Sequence, residues 1–350
     1  MMPTISSALE NPYLVFVGWV LLVILWHTTA LAMVLAGWQS WRARATPRET
    51  YRAAALAFTI AVVLAAITPA LLFAVPARSH EGSSGIGNRS PASTVAPAGL
   101  PSATSLSAEP RVSLPRQSAR SRGTIFADML AATAAIAWAV GVITLLFRLT
   151  GGWLVAAAVH RQAMTEDASD TLAAYTRLKA DLRIPSHVRL LRSGAVEGPV
   201  VIGWRRPALI LPADATGRLS PAMIEALLAH ELEHVKRRDY LLNLFQSIGE
   251  AVLFFSPALL WISRRIREAR EYCCDDAAVA RCGDARDYVQ ALTTLASLGT
   301  LNTTRPAMGA AGPRLITRVR RLLQGEAMPK FRILRVAASA ALLVLVAVTG

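Results

Sequence analysis

Two histidines four residues apart, with a glutamate directly after the first, are the residues of this sequence best suited to chemistry. They form the segment His230-Glu231-Leu232-Glu233-His234. On a helix, residues at this spacing share one face, with Cβ atoms about 5–6 Å apart, so both imidazoles can bind one Zn²⁺ ion. Glu231 can act as a base toward water, whose pKa zinc lowers to roughly 7. The pattern therefore predicts a zinc peptidase.

This geometry requires a helix, and a helix start precedes the motif. Ser220 is a favourable N-cap and Pro221 suits the first helical position. His230 then falls about two and a half turns into the predicted helix. The alternative interpretation is an ordinary helix that carries two histidines by chance, and the helix start favours the metal site over it.

Composition indicates a membrane protein. Of 350 residues, 53% are hydrophobic and 17% charged, and the mean hydropathy is +0.40. A soluble domain does not usually combine these values. The formal net charge of +14 suits an anionic lipid surface. No basic stripe interleaved with aromatic residues is present, so we expect no direct nucleic-acid partner.

Four apolar runs are predicted to cross the membrane, and the first three reach the length of about 20 residues that a span needs. They are Tyr13 to Gly37, Ala53 to Val75, Ile125 to Phe147 and Ile333 to Val348. The predicted domains are two spans with a short basic loop at 1–76, a disordered extracytoplasmic loop at 77–123, a third span at 124–148, a peptidase domain at 149–331 and a fourth span at 332–350.

The distribution of arginine predicts the orientation. The compact basic loop 39–52 and the basic flank before residue 333 belong in the cytoplasm by the positive-inside rule. The N-terminus and the loop 77–123 are then outside, and residues 149–331 are cytoplasmic. We therefore expect a multi-pass protein of a bacterial inner membrane, whose other partner is the lipid bilayer.

The segment 149–331 is predicted to be α+β. We expect a helix at 169–182, with Ser169 as its cap, followed by a small sheet. Its three predicted strands are Val188–Leu191, Pro199–Ile202 and Ala208–Leu211. An edge strand of such a sheet could hold a peptide substrate by strand addition. For the apolar run 241–263 we expect a buried or membrane-apposed hairpin rather than a fifth span.

Two histidines leave zinc short of a third protein ligand. No histidine follows His234, and Arg237 and Tyr240 stand where the metzincin pattern needs Gly and His. We expect Asp239 to continue the motif helix and to face away from the histidine pair. Glu250 lies roughly 24 Å along a continuous helix. The third ligand is therefore expected after the break at 256–257.

The helix expected after that break carries four carboxylates, Glu268, Glu271, Asp275 and Asp276. Glu271 and Asp275 share one face, so that one can bind metal while the other accepts the outer N–H of a ligand histidine. Glu268 is the main competitor by spacing. In the alternative interpretation these acids only pair with the arginines at 264, 267 and 270. The neighbouring cysteines, Cys273 and Cys274, are expected to be structural thiols in a reducing compartment rather than ligands.

At this point the sequence resembles a family, the BlaR/MecR-type membrane metallopeptidases. The resemblance rests on an ordered run of motifs that is strongest over 185–285. The run comprises Gly198-Pro199-Val200-Val201-Ile202-Gly203, Pro207 to Pro212, the His-Glu-x-x-His segment, Arg238-Asp239, Asn243, Phe254-Phe255-Ser256-Pro257 and Arg270-Glu271-Tyr272-Cys273-Cys274-Asp275-Asp276.

The resemblance implies a gluzincin with four spans and a cytoplasmic peptidase domain. It implies His230, His234 and Glu271 as zinc ligands, Glu231 as the base, and Asp275 as the partner of a ligand histidine. It further implies cleavage of a helix-turn-helix repressor of the BlaI/MecI type. We add self-cleavage near 314–335 as a prediction and leave open whether the protein forms a homodimer.

The sequence departs from the family pattern in lacking the motifs of a sensor domain. Its best-known members continue past the fourth span into a penicillin-binding sensor domain with a Ser-x-x-Lys nucleophile, whereas this sequence contains neither Ser-x-x-Lys nor Lys-Thr-Gly. Either that sensor is lacking or the sequence is truncated, and we expect no antibiotic sensing by these residues. Two rival functions remain: a quality-control or CAAX-type zinc protease, and a non-catalytic transducer with a structural zinc.

Overall fold

The computed structural model describes residues 11–42, 45–74, 122–203, 206–302 and 308–324. Residues 77–121 of the predicted loop and the predicted fourth span at 333–348 lie outside these ranges. Three long apolar helices begin the described chain: α1 (Pro12–Trp41), α2 (Pro47–Ala74) and α3 (Arg122–Gln162). All three are long and apolar enough to cross a membrane. These helices match three of the predicted spans in length and apolar composition.

The third helix is longer than predicted. The apolar run is predicted to end at Phe147, but α3 is 41 residues long and ends at Gln162. Gly151 and Gly152 do not break it, since glycine costs a helix interior only about 1 kcal/mol. The extension carries the chain from the spans directly into the sheet.

The spans pack closely against one another. Gly18 of α1 lies against α3, where an added Cβ would stand 2.3 Å from the carbonyl oxygen of Ala131. Only glycine permits this close approach of two backbones, as small residues do in membrane helix pairs. The core between α1 and α2 includes Val20, Ile24 and Phe58. The three helices therefore form one bundle.

A small sheet follows the spans. Its strands are β1 (Met164–Thr165), β2 (Arg189–Ser193), β3 (Val200–Ile202) and β4 (Ala208–Pro212), with α4 (Ser169–Asp181) between β1 and β2. The spatial order is β1-β2-β4-β3. Strands β2 and β4 are parallel, with Leu190 opposite Leu209, whereas β1 and β3 pair antiparallel at the edges. The three predicted strands are confirmed with shifted ends, and the two-residue β1 was not predicted.

One predicted cap is wrong. Ser169 is the first residue of α4 rather than its cap; Ala168 occupies the N-cap position without a side-chain bond. The Ser169 hydroxyl instead lies 3.3 Å from a carboxylate oxygen of Asp170. Ala168 N–H is satisfied by Glu166, whose Oε1 accepts it at 3.0 Å, so the turn before α4 is held by another side chain.

The remaining helices surround the histidine motif. They are α5 (Ala215–Arg218), α6 (Pro221–Lys236), α7 (Asp239–Val252), α8 (Pro257–Cys282), α9 (Ala285–Asn302) and α10 (Met308–Gln324). Ser220 caps α6 as predicted, because its side chain accepts the N–H of Met223 at 3.3 Å. Leu228 and Leu232 of α6 are fully buried in the core that includes Leu209 and Leu211 of the sheet. The motif helix is thus fixed by apolar packing on the sheet.

Helices α7 and α8 form the predicted hairpin. A break at Leu253–Ser256 separates them, and Ser256 caps α8 by accepting the N–H of Leu259 at 3.2 Å. The hairpin packs on the spans: Leu259 and Ile262 of α8 share a core with Phe58. The run 241–263 is therefore divided between two packed helices rather than forming one continuous helix.

Candidate metal centre

The histidine pair lies on one face of α6, as its spacing predicts. His230 is buried and His234 is half-buried. The two Nε2 atoms are 3.2 Å apart. Two ligands at about 2.0–2.1 Å from one tetrahedral zinc stand roughly 3.3 Å apart, so this separation fits a shared ion.

Glu271 of α8 completes a three-residue donor cluster. Its Oε2 lies 3.8 Å from Nε2 of His230, and its Oε1 lies 3.8 Å from Nε2 of His234. One donor atom from each of the three residues lies within 4.8 Å of the others. The packing of α8 against α6 therefore unites residues that are about 40 positions apart in the sequence.

The outer nitrogen of each imidazole has its own partner. His234 Nδ1 lies 2.8 Å from Oδ2 of Asp239, and His230 Nδ1 lies 2.8 Å from the hydroxyl of Tyr288. We infer the tautomer from these partners: Nδ1 carries the proton and Nε2 presents its lone pair. Two lone pairs and a carboxylate then face one another, an arrangement that a cation stabilises, so these residues fit a zinc ion.

The position of Asp239 corrects a prediction. It does not continue the motif helix, which ends at Lys236; Arg238 takes a left-handed conformation with φ of 56° and α7 begins at Asp239. This reversal turns the carboxylate back toward His234. A non-glycine residue in this conformation is uncommon, and because arginine is not a typical left-handed residue, no local pattern predicted it.

Asp275 lies behind the donor cluster, beyond Tyr288. Its carboxylate is fully buried, and Oδ1 is 3.4 Å from His230 Nδ1. The hydroxyl of Tyr288 lies between them and donates to the same Oδ1 at 2.8 Å. Tyr288 was not predicted, because it lies on α9 and no spacing relates it to the motif. Asp275 therefore reaches His230 chiefly through Tyr288.

Glu268, the competing carboxylate, points elsewhere. Its Oε2 accepts from Nη1 of Arg265 at 2.8 Å. Arg267 bonds Glu250 of α7. Glu268 is thus paired within α8, although with Arg265 rather than with one of the arginines at 264, 267 and 270. Glu271 instead forms an ion pair with Arg318 of α10 at 3.3 Å.

The pKa values of the two glutamates of the centre are shifted in opposite directions. Burial raises the pKa of Glu231 above its ordinary value, although the neighbouring imidazoles and Arg318 partly offset it. Burial also disfavours the charge on Glu271, but the imidazoles of His230 and His234, when protonated in the metal-free site, and the guanidinium of Arg318 outweigh it and hold its pKa well below the usual range. Glu271 is thereby kept as a carboxylate, the form that binds metal, while Glu231 is tuned toward proton exchange.

Cys274 lies beside the cluster. Its Sγ is 3.4 Å from His234 Nδ1 and 3.9 Å from Oδ2 of Asp239. These three residues also place donor atoms within 4.8 Å of one another. Burial raises the pKa of this thiol and keeps it protonated. Cys273 and Cys282 are also free cysteines, and burial raises the pKa of each thiol. Protonated thiols favour a structural role.

Comparison with known proteins finds one matching family and several similar proteins. A family model described as BlaR1 peptidase M56 matches residues 20–320. The regulatory protein BlaR1 of Bacillus licheniformis is 28% identical over 142 residues, which are 41% of this chain and 24% of that protein. The methicillin resistance mecR1 proteins of Staphylococcus aureus and Staphylococcus epidermidis are 27% identical over 89 residues, 25% of this chain and 15% of each. The aligned segments thus span a quarter or less of these relatives.

Proposed function

This chain belongs to the BlaR1 peptidase M56 family, a family of metallopeptidases that includes membrane regulators, and on that premise we propose that it is an integral membrane zinc endopeptidase. The observation that carries the proposal is the donor cluster of His230, His234 and Glu271 with Glu231 beside it. A structural zinc needs no neighbouring base, whereas hydrolysis does.

His230, His234 and Glu271 would hold the ion. Zinc bound there would supply Lewis acidity toward the scissile carbonyl and would acidify a water molecule. Glu231 receives the proton of the attacking water on its carboxylate and returns it to the leaving amine. Its raised pKa suits both steps, since a base and acid works best when its pKa lies near the working pH. Asp239 and Tyr288 hold the two imidazoles with Nε2 toward the ion.

Strand β3 is the proposed docking edge for the substrate backbone. It pairs only with β4 within the described sheet, in the order β1-β2-β4-β3, and it contacts α6. A peptide added along this edge would run extended beside the motif helix. This proposal retains the strand-addition prediction.

The hairpin of α7 and α8 is proposed to enter the membrane between the spans. The indole Nε1 of Trp138 in α3 donates to the carbonyl oxygen of Val252 at 2.8 Å, and the hydroxyls of Thr28 and Ser256 lie 2.8 Å apart. The ring of Phe254 fills the notch at Gly141. Backbone polar groups inside a bilayer need internal partners, and Trp138 supplies one to the carbonyl of Val252, while Thr28 supplies one to the side chain of Ser256.

We propose that the donor cluster, at the opposite end of the hairpin, lies near the membrane surface. The guanidinium of Arg237, next to the motif, lies 4.5 Å from the ring centroid of Tyr51 near the start of α2. The basic loop before α2 and the donor cluster therefore lie at the same end of the spans. Together with the positive-inside rule this supports a cytoplasmic active site at the inner membrane.

The proposed substrate is a helix-turn-helix repressor of the BlaI/MecI type, with the protein itself as a second substrate. The names of the relatives describe regulation and methicillin resistance, which favours regulated proteolysis. Self-cleavage was predicted near 314–335, and the described part of that segment belongs to the helix α10. Because peptidases bind extended substrates, a cut within 314–324 would require α10 to unwind first.

The test compares membranes that contain the wild type, Glu231→Gln and Glu225→Gln, each with a co-expressed repressor of this type. Glu225 lies on the same helix but pairs with Arg177, so it controls for loss of a carboxylate. We expect new N-termini, identified by mass spectrometry, in the wild type and Glu225→Gln only. Equal cleavage in all three would overturn the proposal.

The same experiment separates the rivals. A single dominant cut in the repressor supports regulated proteolysis. Many scattered cuts in membrane proteins would instead favour a quality-control protease. A full signalling output from Glu231→Gln with zinc still bound would instead indicate a transducer with a structural metal.

A further inference from the structure

Arg318 joins the C-terminal helix α10 to the donor cluster. Its side chain is 16% exposed, and Asp275, which it binds, is fully buried. Nε donates to Oδ2 of Asp275 at 3.0 Å and Nη2 donates to Oδ1 at 2.5 Å. Such a two-point contact fixes the plane of both groups as well as their separation.

The same guanidinium reaches two further groups. Nη1 lies 3.3 Å from Oε2 of Glu271, and Nη2 donates to the hydroxyl of Tyr288 at 3.0 Å. That hydroxyl has one proton and donates it to Asp275, so its lone pairs accept from Arg318 and from Nδ1–H of His230. Every polar group of this chain of contacts is therefore satisfied.

The two ligand histidines are consequently held in different ways. His234 donates directly to the carboxylate of Asp239 at 2.8 Å. His230 donates to a neutral phenol, and the carboxylate behind that phenol is paired with Arg318. Without the guanidinium of Arg318, the repulsion between the carboxylates of Asp275 and Glu271 would not be compensated.

We propose that Arg318 and Tyr288 are positioning residues that hold His230 and Glu271 in the geometry that binds zinc, so that docking of α10 completes the metal site. This inference rests on the proposed zinc site. The metal affinity of the protease would then depend on α10, which begins more than thirty residues after the last peptidase motif in the chain.

Arg321 provides a matched control on the same helix. Its guanidinium pairs with Asp276 at 2.7 Å and lies 4.9 Å from the ring centroid of Tyr272. Both arginines attach α10 to α8, but the described contacts of Arg321 do not include the donor cluster. A role in docking alone would therefore affect both arginines, whereas a positioning role would affect only Arg318.

The experiment measures zinc affinity of the full chain in lipid nanodiscs by competition with a chromophoric chelator. Outer partners of metal ligands typically contribute 10–100-fold, so we expect Arg318→Gln and Tyr288→Phe to lose about that much. Arg321→Gln should remain within about 3-fold of the wild type, and Arg318→Lys should recover only part of the loss. The visible spectrum of bound Co²⁺ should shift in Tyr288→Phe.

Equal losses in Arg318→Gln and Arg321→Gln, or wild-type affinity in Tyr288→Phe, would overturn the inference. Tyr288→Phe removes a single oxygen atom and keeps the question answerable if Arg318→Gln does not fold. If His230→Ala binds zinc as well as the wild type does, the proposed metal site itself fails, and this result is distinguishable from the other two.

Discussion

Asp239 accepts a hydrogen bond from His234 across a helix break: Oδ2 and Nδ1 are 2.8 Å apart although the residues belong to α7 and α6. The left-handed backbone of Arg238 creates this contact. Asp239 is 4% exposed, so its carboxylate faces the imidazole in a site with little water. The contact orients the ring of a proposed ligand.

Replacement of Asp239 by Asn should weaken zinc binding. An amide cannot supply the negative charge that raises the basicity of His234, and we expect a loss of about 10–100-fold in zinc affinity. Chelator competition measures it. Asp214→Asn is the control, since this residue pairs with Arg218 at the surface; a loss of the same size in that variant would count against the specific contact.

Glu271 and Glu268 offer a direct test of the third ligand. Glu271→Gln should abolish stoichiometric zinc binding, because an amide is a poor zinc ligand and the carboxylate faces both Nε2 atoms. Glu268→Gln should retain the zinc, since its carboxylate is occupied by Arg265. Metal content of the purified proteins decides the question, and zinc loss in Glu268→Gln alone would reverse the assignment.

The stability of the metal-free protein should fall as pH rises above neutrality. Burial lowers the pKa of His234, but the hydrogen bond to Asp239 and the charges of Glu231 and Glu271 outweigh it and raise the pKa above its ordinary 6.5. A raised pKa gives stability that is complete below about 6.5 and is lost as pH rises through the folded-state value. The slope is at most about 1.4 kcal/mol per pH unit.

Thermal unfolding in chelator at pH 6 and pH 8 measures this effect. His234→Gln should reduce the difference in stability between pH 6 and pH 8. Replacement of the exposed His187 by Gln should leave that difference unchanged. Excess zinc should stabilise the wild type more at pH 8 than at pH 6, because a metal binds neutral imidazole. A metal-free protein that is more stable at pH 8 than at pH 6 would contradict the predicted pH dependence.

The outward face of α7 should contact lipid. Leu242, Phe245 and Ile248 are exposed large apolar residues, and α7 packs on the spans through Phe58, whose ring centroid is 5.8 Å from that of Phe245. Cysteines at 242 and 245 should resist a membrane-impermeant maleimide in inverted vesicles and react after detergent is added. A cysteine at exposed Leu172 of α4 should react throughout; rapid labelling at 245 in intact vesicles would exclude the embedded hairpin.

The sequence alone determined the local features of this protein. The helix cap at Ser220, the histidine pair of α6 and the apolar lengths of α1 to α3 depend on residues near one another in the chain, so periodicity and capping rules suffice to predict them. Glu271 was reached by spacing together with a family resemblance, and Glu268 remained a competitor because both lie on α8 at helical spacing.

The tertiary structure decided which of the distant side chains meet. Asp239 turned toward His234 because one arginine adopted a left-handed backbone, a choice that local propensity disfavours and that packing of α7 on the spans imposes. Tyr288 and Arg318 come from α9 and α10, and their contacts with His230 and Asp275 depend on how four helices pack. Sequence periodicity records which face of a helix is apolar, but the partner of that face is fixed only when the whole core forms.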